Sequence, residues 1–133
     1  MFSDKQLNME NNTGNMKIEH CRHELSSWTR TLNYLQQENI HLKNHLTNII
    51  KNASIHLLDK IEYYQNLLID KDTFLALLRH DIAEHHKVLE NEGTIMTPDF
   101  LRNQKKLGSD MEKMEKELSS QKYNFNSCFT ELL

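Results

Sequence analysis

The chain has 133 residues but only 3 glycines and 1 proline, and this scarcity excludes a sheet of any size, because hairpins need turn residues every several positions. Gly14, Gly93, Pro98 and Gly108 are its only punctuation. Cysteine is equally scarce. Cys21 and Cys128 stand far apart at helix-seam spacing without a CxxC pair, which points to buried free thiols in a reducing compartment rather than a disulfide or zinc scaffold. No stretch approaches the roughly 18 apolar residues of a membrane span, and Met1 to Asn15 has neither a basic start nor an apolar middle. There is no excess of positive charge either: the formal net charge is -3, with both signs interleaved, so no basic face is available to hold phosphates. The densest basic run, Arg102, Lys105 and Lys106, reads as a solvated helix face. A soluble, cytoplasmic protein with neither a membrane nor a nucleic-acid partner is therefore expected.

What remains is helix. With 38% hydrophobic and 26% charged residues and a mean hydropathy of -0.72, the composition suits thin helical rods with a large wet surface. Met1 to about Asn15 is polar, Asn-rich and without period, and is expected to form a disordered leader, residues 1–15. From there Ile18, Cys21, Leu25, Trp28, Leu32, Leu35, Asn39, Leu42, Leu46 and Ile49 recur at steps of three and four. That is a heptad seam, with Ile18, Leu25, Leu32, Asn39 and Leu46 at a and the others at d. Continuing it lands on Ala53, His56 and Lys60, so the phase breaks near Asn52-Ala53-Ser54, where Asn and Ser suit a helix cap. A tight reversal is expected there; a long bent helix is the alternative.

A second seam runs through Leu57, Ile61, Tyr64, Leu68, Lys71, Leu75, Leu78, Ile82, His85 and Leu89. Leu58, Leu67, Phe74, Leu77 and Val88 lie beside it, so its apolar face is wider and the helix is expected to be central, packed on two sides. Gly93 ends it, and Thr97-Pro98-Asp99 opens the next helix: Thr as N-cap, Pro where no N–H is missed, Asp favoured by the helix dipole. Phe100, Gln104, Leu107, Met111, Met114, Leu118, Gln121, Phe125, Cys128 and Leu132 carry the third seam, and Gly108 within it implies a kink or a close helix approach. The spacing thus predicts an all-α fold, an elongated antiparallel three-helix bundle with coiled-coil-like packing. Its helices fall at about 16–51, 54–92 and 98–131 of a single domain, 16–133. A four-helix bundle with a break at Asp70-Lys71-Asp72-Thr73 is the alternative topology.

The 8 histidines raise the question of metal. Glu38-Asn-Ile-His41 has the ExxH spacing of di-metal carboxylate bundles, and His41 and His45 stand at i, i+4. No second ExxH exists, however, and both histidines fall at the rim of the heptad. The shared histidine-bearing bundle is similar to hemerythrin-like proteins, but their ligand pattern is not reproduced and nothing is carried over. A second constellation follows if the helices pair antiparallel about residue 52: His20 and His23 would face Asp81, Glu84 and His85. Against it, His20 and His23 occupy c and f, away from the seam.

No GxSxG, phosphate loop or Cys–His nucleophile pair is present. Asn39 at a, with Lys71, Gln104 and Gln121 at other seam sites, implies a register device or contacts supplied by a second chain. The expected function is non-enzymatic: binding of a protein partner, or a homodimer, with exposed Tyr34, Tyr63 and methionines available for docking and no metal or cofactor. A metal-binding or sensing bundle using His20, His23, Asp81, Glu84 and His85 is the alternative.

Overall fold

A computed structural model describes the backbone of residues 4–92 and 97–130, with side chains for residues 17–91 and 97–130. The described residues form three α-helices and no strand: α1 (Asp4–Lys51), α2 (Leu58–Glu92) and α3 (Pro98–Cys128), with a 3-10 turn at Ile55–Leu57 leading into α2. At 1.5 Å per residue they are roughly 70, 50 and 45 Å long. They run up, down and up. None is long and apolar enough to cross a membrane.

α1 is already helical at Asp4, not first near residue 16, so the leader expected to lack structure is part of α1 from Asp4 onward. Gly14 is the only strong helix breaker there, and lengthening an existing helix adds one hydrogen bond per residue without a new nucleation cost. The reversal near Asn52 is sharp, and the bent-helix alternative does not occur. The amides of Asn52 and Ala53 bond back to Ile49 and Ile50, and Ser54 takes the extended conformation of an N-cap without a side-chain hydrogen bond. Gly93 lies outside the described residues. At α3 the expected cap is realised: Thr97 Oγ1 accepts a hydrogen bond from the Phe100 amide at 3.1 Å, with Pro98 in the first turn.

The break weighed at Asp70–Thr73 does not occur; α2 runs through it unbroken. Lys71 reaches Glu117 on α3 at 2.6 Å, Asp72 pairs with Lys43 on α1, and Thr73 bonds back to the Ile69 carbonyl. These polar side chains serve lateral contacts, not a turn.

The three seams form the core. Every a and d residue of α1 from Ile18 to Ile49 is buried except Trp28, which is half-buried. An alanine Cβ at Gly108 would sit 3.2 Å from the Trp28 ring, so the glycine marks the close approach anticipated for it. Seam position Leu132 lies outside the described residues, and at the end of α3 it is Phe129 that is fully buried while Cys128 is only half-buried. Phe129 and Phe125 pack edge-on against Tyr64. A polar layer divides this core into two apolar regions. One spans Ile18–Leu35, Leu75–Leu89 and Phe100–Leu118; the other joins Leu42–Ile49, Ile61–Leu68, Phe125 and Phe129.

Candidate functional site

The dividing layer is built on Asn39, which is 1% exposed. Its amide nitrogen donates to the Leu68 carbonyl at 3.0 Å and to Asp72, and its oxygen accepts from Gln121 Nε2 at 3.5 Å. All three helices therefore meet through one carboxamide. Around it Lys43 pairs with Asp72, Lys71 with Glu117 and Lys122 with Glu38. The hydrogen bond from Lys71 holds the Glu117 carboxyl below its ordinary pKa, and that from Lys122 does the same for Glu38. The Gln121 oxygen is buried without a partner.

A second layer is centred on His85, which is 3% exposed. Its ring stacks on Phe100 with centroids 4.1 Å apart, Nε2 lies 2.6 Å from Gln104 Oε1, and Asn103 Nδ2 lies 3.0 Å from Nδ1. Gln104 passes the chain on to α1, donating to the Cys21 carbonyl at 3.3 Å and to Glu24 at 3.2 Å. This set of partners fits a neutral ring that donates from Nε2 and accepts at Nδ1. Burial pushes the His85 pKa down, against the hydrogen bond to Gln104, and His86 nearby lowers it further. Burial, with the Glu24 charge, raises the Cys21 thiol.

The five histidine and carboxylate residues considered as ligands are not brought together. The ion pairs Arg22–Glu90 and Lys43–Asp72 centre the α1–α2 reversal near Leu57 rather than residue 52, because the 3-10 turn lengthens the connection. His20 and His23 are thus level with the end of α2, beyond Asp81, Glu84 and His85. His20 is exposed on the α1–α3 groove beside Glu24, His23 faces outward, Glu84 pairs with Lys87 at 3.1 Å, and Asp81 lines the α2–α3 groove. Among the described residues no three His, Cys, Asp or Glu side chains converge as metal ligands would. His41 and His45 lie against each other, centroids 4.3 Å apart, with His41 exposed and His45 half-buried, its Nδ1 buried without a hydrogen-bond partner.

The wide face of α2 gives the most informative departure from expectation. Both neighbours pack against α2, yet Phe74 is 52% and Leu77 55% exposed, and Leu58, Tyr63, Ile69 and Val88 are exposed as well. Three helices around one axis each bury a single wedge, so a helix with a wider apolar face leaves the rest in water. Part of that face has its own heptad rhythm: Tyr63, Leu67, Asp70, Phe74, Leu77, Asp81, Glu84 and Val88 recur at steps of four and three. Its middle opens into a groove of about 430 Å³ between α2 and α3, where Phe74, Leu77, Leu78 and Met114 make the apolar lining and Asp81, Asp110, Lys113 and Glu117 the charged one. Among the described residues, Asp70, Asp81 and Asp110 form no ion pair, whereas Lys71 and Lys113 both lie against Glu117. Tyr34 is exposed as expected; Met111 is core and Met114 half-buried, so these two methionines are not free docking residues. The outer rhythm was present in the sequence, but only as extra apolar positions beside a stronger seam. Arg102, Lys105 and Lys106 are exposed. No family model, curated protein or solved structure matches this chain, so its function has to be argued from this geometry.

Proposed function

We propose that this chain is a non-enzymatic, cytoplasmic helical-bundle protein that acts by binding another protein or a copy of itself, without a metal or cofactor. One observation carries the reading: the outward heptad stripe of α2, with Phe74 and Leu77 more than half exposed beside a groove against α3. Large apolar side chains repeated along one helix face are what helix-in-groove recognition uses. The buried polar groups support it from the other side. Asn39, His85, Gln104 and Gln121 bond chiefly to one another and to main chain across the bundle, which is the work of specifying a register rather than of catalysis.

The test combines solution mass by light scattering after size exclusion with a photo-cross-linking residue at position 77 in cells that make the protein. Adducts at 77 with a defined protein, or with a second copy, are the expected result. A chain that forms no adduct at 77 and whose Leu77→Lys variant leaves every cellular association unchanged would reject the reading.

A further inference from the structure

Resting on that reading, we infer that the α2–α3 groove takes a foreign amphipathic helix whose apolar seam is flanked by lysine or arginine, and not a second copy of this chain. The argument is one of charge and register. The charged members of the outer stripe, Asp70, Asp81 and Glu84, are all acidic and stand among its apolar residues, and α3 adds Asp110 on the opposite wall beside Lys113 and Glu117. The ammonium groups nearest the groove, Lys71 and Lys113, are already turned to Glu117, at 2.6 and 3.9 Å. Glu84 is paired with Lys87 at 3.1 Å, but among the described residues Asp70, Asp81 and Asp110 form no ion pair. An approaching helix therefore meets these three carboxylates beside an apolar strip, and basic residues beside its own seam would satisfy them.

Self-pairing fails on the same positions. A two-fold axis that sets Phe74 against Leu77 of the second copy, the best apolar match, also sets Tyr63 against Val88 and Asp70 against Asp81. That places two pairs of like charges directly beside the apolar contact, on either side of the axis. A parallel pairing would stack each acid on itself. From Tyr63 to Val88 the stripe is roughly 38 Å long at 1.5 Å per residue, so the partner segment is a helix of about seven turns.

The experiment uses the full chain and three synthetic 25-residue helices: one with Leu at a and d and Lys at e and g, one with Glu in place of Lys, and one with Lys kept but Ala in place of Leu. Fluorescence anisotropy is expected to show the Leu/Lys peptide binding at least tenfold more tightly than the other two, with affinity falling about tenfold between 50 and 500 mM salt. Leu77→Lys should abolish binding while leaving the circular dichroism melt unchanged, and Asp70→Lys with Asp81→Lys should invert the preference toward the Glu peptide. Equal binding of the Lys and Glu peptides, binding untouched by Leu77→Lys, or no binding of the Leu/Lys peptide would overturn the inference. The photo-adduct at position 77 separates the two proposals. An adduct with a second copy, or with an acidic helix, rejects the basic-helix inference and leaves the interaction reading standing; no adduct and no peptide binding rejects both.

Discussion

Asn39 and Gln121 meet where three apolar seams would otherwise run unbroken; Asn39 is held by the Leu68 carbonyl and Asp72 as well as by Gln121, whereas Gln121 has Asn39 as its partner. Removing Asn39 strands Gln121, whereas removing Gln121 leaves Asn39 its bonds to Leu68 and Asp72. Asn39→Leu and Gln121→Met are close to isosteric, and each alone is expected to cost about 1–3 kcal/mol in urea unfolding. The double variant should cost less than the sum of the two single variants, since apolar groups then replace both halves of the Asn39–Gln121 contact, while the bonds of Asn39 to Leu68 and Asp72 stay lost. Additive single effects would show that the contact is not a coupled pair. His85 gives a prediction in pH. Its folded pKa lies below the ordinary 6.5, so the unfolded chain binds the proton more readily. Stability is then complete above about pH 6.5 and is lost as pH falls from there toward the lower folded value. His85→Gln keeps a hydrogen-bonding side chain and removes that titration; denaturant unfolding at pH 7.5 and 5.5 should show a smaller loss in the variant than in the parent. The a position of Asn39 was legible from spacing alone. The partners of His85 were not, because Asn103 and Gln104 reach it from a different helix.

At the scale of the helix, local chemistry explains ends better than lengths. Thr97 caps α3 through a bond that alanine cannot make, so Thr97→Ala should lower stability by about 1 kcal/mol, read from the midpoint of chemical denaturation. Gly108 is a different case, since its place in α3 is held by a neighbour. Alanine offers up to about 1 kcal/mol of helix propensity, but its Cβ would crowd Trp28 at 3.2 Å. The indole is half-buried and has room to shift, so Gly108→Ala should gain less than that, whereas Gly108→Leu should cost about 1–3 kcal/mol by overpacking. Thermal melts of the two variants on either side of the parent would bear this out. The turn at Asn52 could be read from the phase break in the seam; its centre near Leu57 could not, because a 3-10 turn leaves no periodic trace.

For the whole molecule, the polar seam residues find their partners within one chain: Asn39 with Leu68, Asp72 and Gln121, Lys71 with Glu117, and Gln104 with His85. No second chain is needed to complete the core, so light scattering is expected to give the monomer mass of 15.8 kDa at micromolar concentration. Leu77→Lys should leave that mass unchanged and move stability by no more than about 0.5 kcal/mol, because the side chain is already more than half in water. A drop from dimer to monomer in that variant would instead assign the stripe to self-assembly. The sequence by itself determined the helical class, the three seams and the capped start of α3, since periodicity, the scarcity of Gly and Pro, and Thr97-Pro98 act through local geometry. The rotation and relative level of the helices were decided only by tertiary packing. They depend on how three seams of unequal width close around one axis, and that closure leaves His20 and His23 apart from Asp81, Glu84 and His85 and the outer face of α2 in water.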